Sequence, residues 1–263
     1  MLTLVATLFG LIVGSFLNVV ILRKGVRGIG GRSACPHCMH TLSWYDLVPV
    51  LSWIVLRGKC RYCAARISVQ YPLVELATAA LFGIFFAAPF PVGIEVRVLF
   101  CVIAALLVVI TVYDLRHTII PDAWAYLFAA LSFVVSVFLV PLPLWGVLLG
   151  GIATAAPLFA LWGISKGRWM GFGDVKLGVG MGFLLGPITG LFATFFAFVI
   201  GSAVLVPAML IARLVTHMRG HHYRQQGLTM KSEVPFGPFL VASTLIVWIS
   251  LLYGYDIPAL VGW

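Results

Sequence analysis

The sequence predicts an all-α polytopic membrane protein with about eight transmembrane helices and a small cytoplasmic zinc-ribbon-like module. Three observations predict it. Of 263 residues, 62% are hydrophobic and 10% charged, a balance foreign to soluble domains and expected of a chain with long apolar runs. The apolar residues gather in separate runs divided by short polar breaks. One long polar stretch interrupts them, and it holds two Cys-x-x-Cys pairs.

The predicted spans are about 2–22, 72–89, 96–113, 122–140, 144–163, 175–187, 188–212 and 236–254. A span needs roughly 20 apolar residues. The sixth is short and glycine-rich, and Gly186-Pro187 marks its boundary with the seventh. The first run lacks a basic leading region and a small-residue cleavage site, and Asn18 lies within it. It reads as a retained span, not a removed signal. The organisation expected is a first transmembrane helix over 1–22, a zinc-binding module over 23–71, and a membrane domain over 72–263 that carries two aspartates of interest.

Lysine and arginine set the orientation. The loop 23–71 holds Arg23, Lys24, Arg27, Arg32, Arg57, Lys59, Arg61 and Arg66. Alternating spans place Arg116, Lys166, Arg168, Lys176, Arg213, Arg219, Arg224 and Lys231 on that same side, and leave only Arg97 of the 17 basic residues on the other. Such asymmetry marks the cytoplasmic face. The N-terminus and the tail at Asp256 are then expected outside, in the periplasm, with the zinc module in the cytoplasm. The net charge of +9 is read as this orientation signal and as contact with anionic membrane lipids. It is not read as nucleic-acid binding.

The module over 23–71 carries Cys35-Pro-His-Cys38 and Cys60-Arg-Tyr-Cys63, separated by 21 residues. Four thiolates suit one tetrahedral Zn(II) with no open position, so the metal is expected to be structural. A redox or disulfide pair is the alternative, disfavoured in a reducing cytosol. His37 and His40 are read as loop residues beside the cysteines. Cys101, inside an apolar run, is read as a small buried hydrophobe.

Only eight residues are acidic, and two stand at the edges of apolar runs. Asp114 closes an out-to-in span. Asp174 opens an in-to-out span within Gly171-Phe172-Gly173-Asp174. Both are expected at the cytoplasmic boundary, at similar depth. Acidic residues at membrane depth are costly and tend to be functional. Facing carboxylates, one ionised and one protonated, can activate a water and polarise a peptide carbonyl. Structural readings stand beside this one. Asp114 can pair with Arg116 or His117, and Asp174 can cap a helix with Lys176 as neighbour. Asp122, after Pro121, reads as a helix-start carboxylate.

The ordered motifs resemble the type IV prepilin peptidases. They are Gly14-Ser15-Phe16-Leu17-Asn18-Val19-Val20, the two cysteine knuckles, Leu42-Ser43-Trp44-Tyr45-Asp46 through Pro49, Leu51-Ser52, and Arg57-Gly58-Lys59-Cys60-Arg61. Tyr71-Pro72 through Glu75, the Asp114 segment with Ile120-Pro121-Asp122, Gly171 through Lys176-Leu177, and Pro235-Phe236-Gly237-Pro238 complete the set. The resemblance runs nearly end to end. It implies a bacterial inner-membrane aspartyl protease with Asp114 and Asp174 as its dyad, in the 72–263 domain. The implied substrate is a prepilin or pseudopilin, cut after the leader's terminal glycine and then N-methylated from S-adenosylmethionine. Gly171, Gly173, Lys176, Pro235, Phe236, Gly237 and Pro238 are expected to position substrate. Asn18, Asp46 and Glu75 are candidates for the methyl-donor site, each with a structural alternative.

Two segments depart from the family pattern. The run Lys24-Gly25-Val26-Arg27 follows Arg23 where a proline is common, which keeps open a peptidase without methyl transfer. The loop 213–234 holds His217, His221 and His222, read as an exposed basic loop. A proton-relay transporter and a non-enzymatic scaffold are the further alternatives.

Overall fold

The computed structural model describes residues 1–24, 30–140, 143–218 and 235–255. All eight predicted runs are helices. They are α1 (Leu2–Arg23), α3 (Gln70–Ala87), α4 (Ile94–His117), α5 (Asp122–Val134, extended by a π turn to Leu139), α6 (Leu144–Ser165), α7 (Phe172–Leu185), α8 (Pro187–Met218) and α9 (Gly237–Leu252). A five-residue helix α2 (Leu51–Val55) and a 3₁₀ turn over Trp44–Leu47 lie in the cysteine module. Among the described residues, six of the helices are long and apolar enough to cross a membrane. The exceptions are α7, with 14 residues, and α9, with 16. At 1.5 Å per residue they rise about 21 and 24 Å, less than a hydrocarbon core of about 30 Å.

Local chemistry sets the helix ends. Gly186 takes a positive φ of 81° between α7 and α8, and Pro187 opens the next helix, where its missing N–H costs nothing. The expected boundary at Gly186-Pro187 is where the break falls. Residues 213–218, expected to open a loop, are helical instead: α8 continues through Met218 and takes His217 into its last turn. Residues 25–29, Arg219, His221, His222, Arg224, Lys231 and Asp256 lie outside the described residues.

The chain divides into two compact units, Met1–Val112 and Tyr113–Trp263. In the first, α1 packs along α3. Gly10 and Gly14 make this possible: a Cβ on Gly10 would stand 2.7 Å from the Ala79 Cα, and one on Gly14 2.6 Å from the Glu75 Cα. Small residues four apart let helix backbones touch inside a membrane, where apolar burial gives no preference for helix over lipid. Arg97 donates to the carbonyls of Phe85, Phe86, Ala88 and Phe90. It caps the C-terminal end of α3, a local use for the basic residue that stood alone in the charge count.

In the second unit α7 packs against α5, α6, α8 and α9. A helix so surrounded has no polar face, and its small residues allow the crowding. Gly150 of α6 and Gly182 of α7 meet backbone to backbone, leaving no room for a Cβ on either. Asp174 sits in the first turn of this buried helix.

Candidate active site

Asp114 lies in the last turn of α4, at the start of the second unit. Thr118 ends that helix. Its N–H bonds to the Asp114 carbonyl at 2.7 Å, with Thr118 at φ 53°. A β-branched residue in the left-handed region is a strained outlier, and such outliers gather at functional sites. The reversal carries Ile119 and Ile120 back before Pro121 and Asp122 open α5. The Asp114 side chain is only 4% exposed. Its Oδ2 accepts the Gly237 N–H at 3.1 Å, from the first residue of α9. The His117 ring packs on that of Tyr113, with centres 4.4 Å apart.

Asp174 is 6% exposed. Its own N–H closes the first turn on the Gly171 carbonyl at 3.2 Å, and its carboxylate takes the Gly171 N–H. It also lies within electrostatic range of Asp114. One apolar residue stands between the two segments. A Cβ on Gly173 would meet the Ile120 Cβ at 2.9 Å, and one on Gly237 would meet the Ile120 Cδ1 at 3.1 Å and the Asp114 Oδ2 at 2.6 Å. Ile120 is thus wedged between the glycine before Asp174 and the glycine that binds Asp114. Its role was not legible in the sequence, where an isoleucine beside a proline carries no polar signal.

The other second-unit residues expected near substrate are distributed as follows. Lys176 bonds to Asp122 at 2.6 Å and lies 5.1 Å from the Phe172 and Tyr126 rings. Asp122, which is exposed, therefore has a lysine partner. Phe236 caps α9 with its ring 4.7 Å from that of Phe198, and Pro238 occupies the first turn. Pro235 precedes them.

In the first unit the thiols of Cys35, Cys38, Cys60 and Cys63 lie within 4.8 Å of one another. A tetrahedron with Zn–S of about 2.3 Å has edges of about 3.8 Å, and the Cys35 and Cys63 sulfurs are 3.8 Å apart. The two knuckles fold alike. The Cys35 N–H bonds to the His40 carbonyl and that of Cys60 to the Ala65 carbonyl. Met39 and Ala64, each four residues past the first cysteine, share a left-handed φ of 57° and 58°. An isolated bridge closes each knuckle, Ala34 with Thr41 and Lys59 with Arg66. The Cys38 N–H lowers the Cys35 thiol to about 6 against the opposing effect of burial, with help from the His37 N–H. The Ala65 N–H lowers the Cys63 thiol, but burial and the neighbouring Cys60, Cys38 and Cys35 thiols push it up to about 12, so a zinc ion binding here would displace protons. His40 stacks on Tyr62 with ring centres 3.7 Å apart. Cys101 is buried in the first unit.

Asn18, Asp46 and Glu75 have internal partners. The Asn18 amide donates to the Gly14 and Tyr71 carbonyls, and its oxygen accepts from Gln70. Glu75 accepts the Val50 N–H at 2.7 Å and a bond from Ser15. Asp46 closes a capping box with Ser43, pairs with Arg61 at 2.8 Å and accepts the Tyr62 hydroxyl at 3.2 Å. Burial pushes its carboxyl up. The Arg61 guanidinium, the Ser43 N–H and the Tyr62 hydroxyl outweigh that and hold it below its ordinary value.

A helical membrane unit with two buried, mutually interacting carboxylates at helix ends, in a chain that also folds a four-thiol knuckle pair, defines a class of intramembrane two-carboxylate proteins. Comparison with known proteins identifies the family. Residues 8–88 match the bacterial peptidase A24 N-terminal domain, and residues 101–206 match the type IV leader peptidase family. A prepilin leader peptidase/N-methyltransferase of Bacillus subtilis is 34% identical over 95% of this chain and 94% of its own length. A protein of the same description from Aeromonas hydrophila is 32% identical over 95% and 90%. One from Stutzerimonas stutzeri is 29% identical over 97% and 92%. The chain belongs to the type IV leader peptidase family. No solved structure shows a significant match.

Proposed function

We propose that this chain is a membrane-embedded aspartyl endopeptidase that removes the leader from type IV prepilins or pseudopilins and then N-methylates the new N-terminal residue. The observation that carries the reading is the buried pair Asp114 and Asp174, within electrostatic range of each other. It stands in a chain aligned over 95% of its length with an enzyme of that description.

The mechanism follows from the pair's surroundings. One aspartate, ionised, takes a proton from a water as that water attacks the scissile carbonyl. The other, protonated, gives its proton to the carbonyl oxygen; as the diol collapses, the first passes the water's proton to the departing amine and the second takes its proton back from the diol hydroxyl. The two titrate as a unit, so either serves in either role. The Gly237 N–H fixes the Asp114 rotamer. Gly171 keeps the backbone beside Asp174 free of a side chain, which suits an extended substrate strand, while Gly173 leaves room for Ile120 to pack against that turn. Lys176, held by Asp122, covers the Phe172 ring. Pro235, Phe236 and Pro238 set the entry of α9 and thereby the height of Gly237.

The lysine and arginine asymmetry supports placing both aspartates at the cytoplasmic boundary of a bacterial inner membrane, with the N-terminus in the periplasm. A prepilin's apolar helix would then present its leader junction at the depth of the pair. Cys35, Cys38, Cys60 and Cys63 would hold a structural Zn(II), the donor set and spacing of a closed site. S-adenosylmethionine supplies the methyl group when bound. Buried Glu75 and buried Asn18 offer a carboxyl and an amide that suit a polar, positively charged donor, while Asp46 is committed to Arg61 and Tyr62.

The deciding experiment is leader removal from a model prepilin in membranes, comparing wild type with Asp114→Asn and Asp174→Asn. Cleavage falling by at least ~100-fold in both, with zinc content and folding retained, supports the dyad. Cleavage retained in both overturns it and moves the proton-relay and scaffold readings forward.

A further inference from the structure

The segment that joins the two knuckles is built unlike the rest of the module. Val50 has φ 60° and ψ −50°, and the Leu51 N–H bonds back to the Pro49 carbonyl. This is the rare, strained form of γ-turn, here at a β-branched residue. It is held from outside: the Val50 N–H donates to the buried carboxylate of Glu75, on α3.

That bond sets a depth. Glu75 lies five residues into α3, which starts at Gln70, or about 7.5 Å along the axis. The helix has 18 residues and rises about 27 Å, so nearly all of it is needed to cross a core of about 30 Å. Side chains lean toward the helix N-terminus, which brings the bonded Val50 a few ångström shallower. The γ-turn therefore hangs beside α3 at the boundary between headgroups and acyl chains. The residues on either side of it share that level.

Those residues present an apolar face. Leu51, Ile54 and Val55 lie at i, i+3 and i+4 on α2 and are 62, 57 and 73% exposed, while Trp44 in the preceding 3₁₀ turn is 79% exposed. The opposite face of α2 turns into the module. There the Trp53 ring lies against Gly58 and its indole N–H donates to the Ile67 carbonyl at 3.4 Å. Arg57, Lys59 and Arg66 follow directly on the exposed surface. An apolar strip with an exposed tryptophan and a cationic flank is the composition of an element lying in a membrane interface, with its cations among anionic headgroups.

We propose that Trp44–Val55 is an in-plane membrane anchor. It seats Trp44, Leu51, Ile54 and Val55 in the leaflet that holds the start of α3, and Glu75 suspends it there. The anchor holds the knuckle pair against the bilayer surface instead of letting it swing on the chain between α1 and α3. Its partner is lipid with anionic headgroups.

The test places a benzophenone amino acid at Ile54 or Val55, and at the exposed Thr41 of the first knuckle for reference. The full chain is reconstituted in phosphatidylglycerol–phosphatidylethanolamine vesicles and irradiated, and adducts are read by mass spectrometry. Variants are accepted only with wild-type zinc content, which shows that the module has folded. Lipid adducts at Ile54 and Val55 at least ~10-fold above those at Thr41 are expected for an interfacial element. Adducts to protein, whether to another part of this chain or to a second copy, overturn the proposal. So does lipid labelling at Ile54 and Val55 no greater than at Thr41.

Discussion

The backbone N–H of Gly237 donates to the buried carboxylate of Asp114 at 3.1 Å, across 123 positions of the chain. The bond ties the first residue of α9 to the last turn of α4. It works only because residue 237 lacks a side chain.

Gly237→Ala places a methyl group 2.6 Å from the Asp114 Oδ2 and 3.1 Å from the Ile120 Cδ1. The carboxylate must move to relieve it. A displacement of about 1 Å at a reacting group costs on the order of 100-fold in rate. Leader cleavage by Gly237→Ala is expected to fall by about that factor in kcat, with KM for the prepilin little changed. Unchanged kcat would show that the amide does not set the Asp114 position.

Ile120 separates Gly173 from Gly237. Ile120→Val trims the far end of the wedge and Ile120→Ala removes most of it. Large-to-small changes at buried isoleucine cost about 0.5–1.5 kcal/mol to valine and 2–5 kcal/mol to alanine. The expected result is graded loss of cleavage, mild in Ile120→Val and severe in Ile120→Ala. A shifted pH–rate profile would accompany it, because the spacing of the two carboxylates changes. Equal activity in both variants at full stability would count against the wedge.

Zinc should be present at one ion per chain by elemental analysis. Serine at Cys35 or Cys60 is expected to abolish it, since these buried members complete the tetrahedron. Acid should release the ion, because protons compete for the thiolates. A chain purified without metal and with unaltered thermal stability would refute a structural zinc.

Gly14→Leu should separate α1 from α3, whose backbone stands 2.6 Å from a Cβ at that position. Overpacking costs typically about 1–3 kcal/mol, and here the obstacle is main chain, which cannot turn aside. A clear drop in thermal midpoint in detergent is expected. A midpoint equal to wild type would mean the helices do not rely on that contact.

Asp46 carries a pH signature. Its folded-state value lies below its ordinary one, so its contribution to stability is present above the ordinary carboxylate range and disappears as pH falls through the lowered value. Asp46→Asn should lower the thermal midpoint at neutral pH and match wild type in strong acid. A gap that widens on acidification would reverse the sign and reject the Arg61 pairing as its cause.

Much of this was legible in the residues. Apolar runs have to be helices in a bilayer, because no water is there to satisfy the backbone. All eight predicted runs are helices, and the Gly186-Pro187 break falls where glycine and proline chemistry demanded. The cysteine spacing predicted a four-thiol cluster for the same reason: two knuckles can surround one ion in few ways. Run length was a poorer guide in the second unit. There α7 and α9 are shorter than a full crossing, and α8 continues into residues expected to form a loop.

What the sequence by itself determined was the helical membrane class, the thiol cluster and the two unusual acidic positions. Each of these depends on local chemistry or on transfer cost, which a residue carries wherever it stands. Only the tertiary structure decided that Gly237 binds Asp114, that Ile120 parts the two segments, that Lys176 goes to Asp122, and that Glu75 holds Val50. These are contacts between residues distant in the chain or concealed in apolar stretches. They depend on which small residues let helices approach and on where a strained turn sends the chain, and neither is written in periodicity or composition.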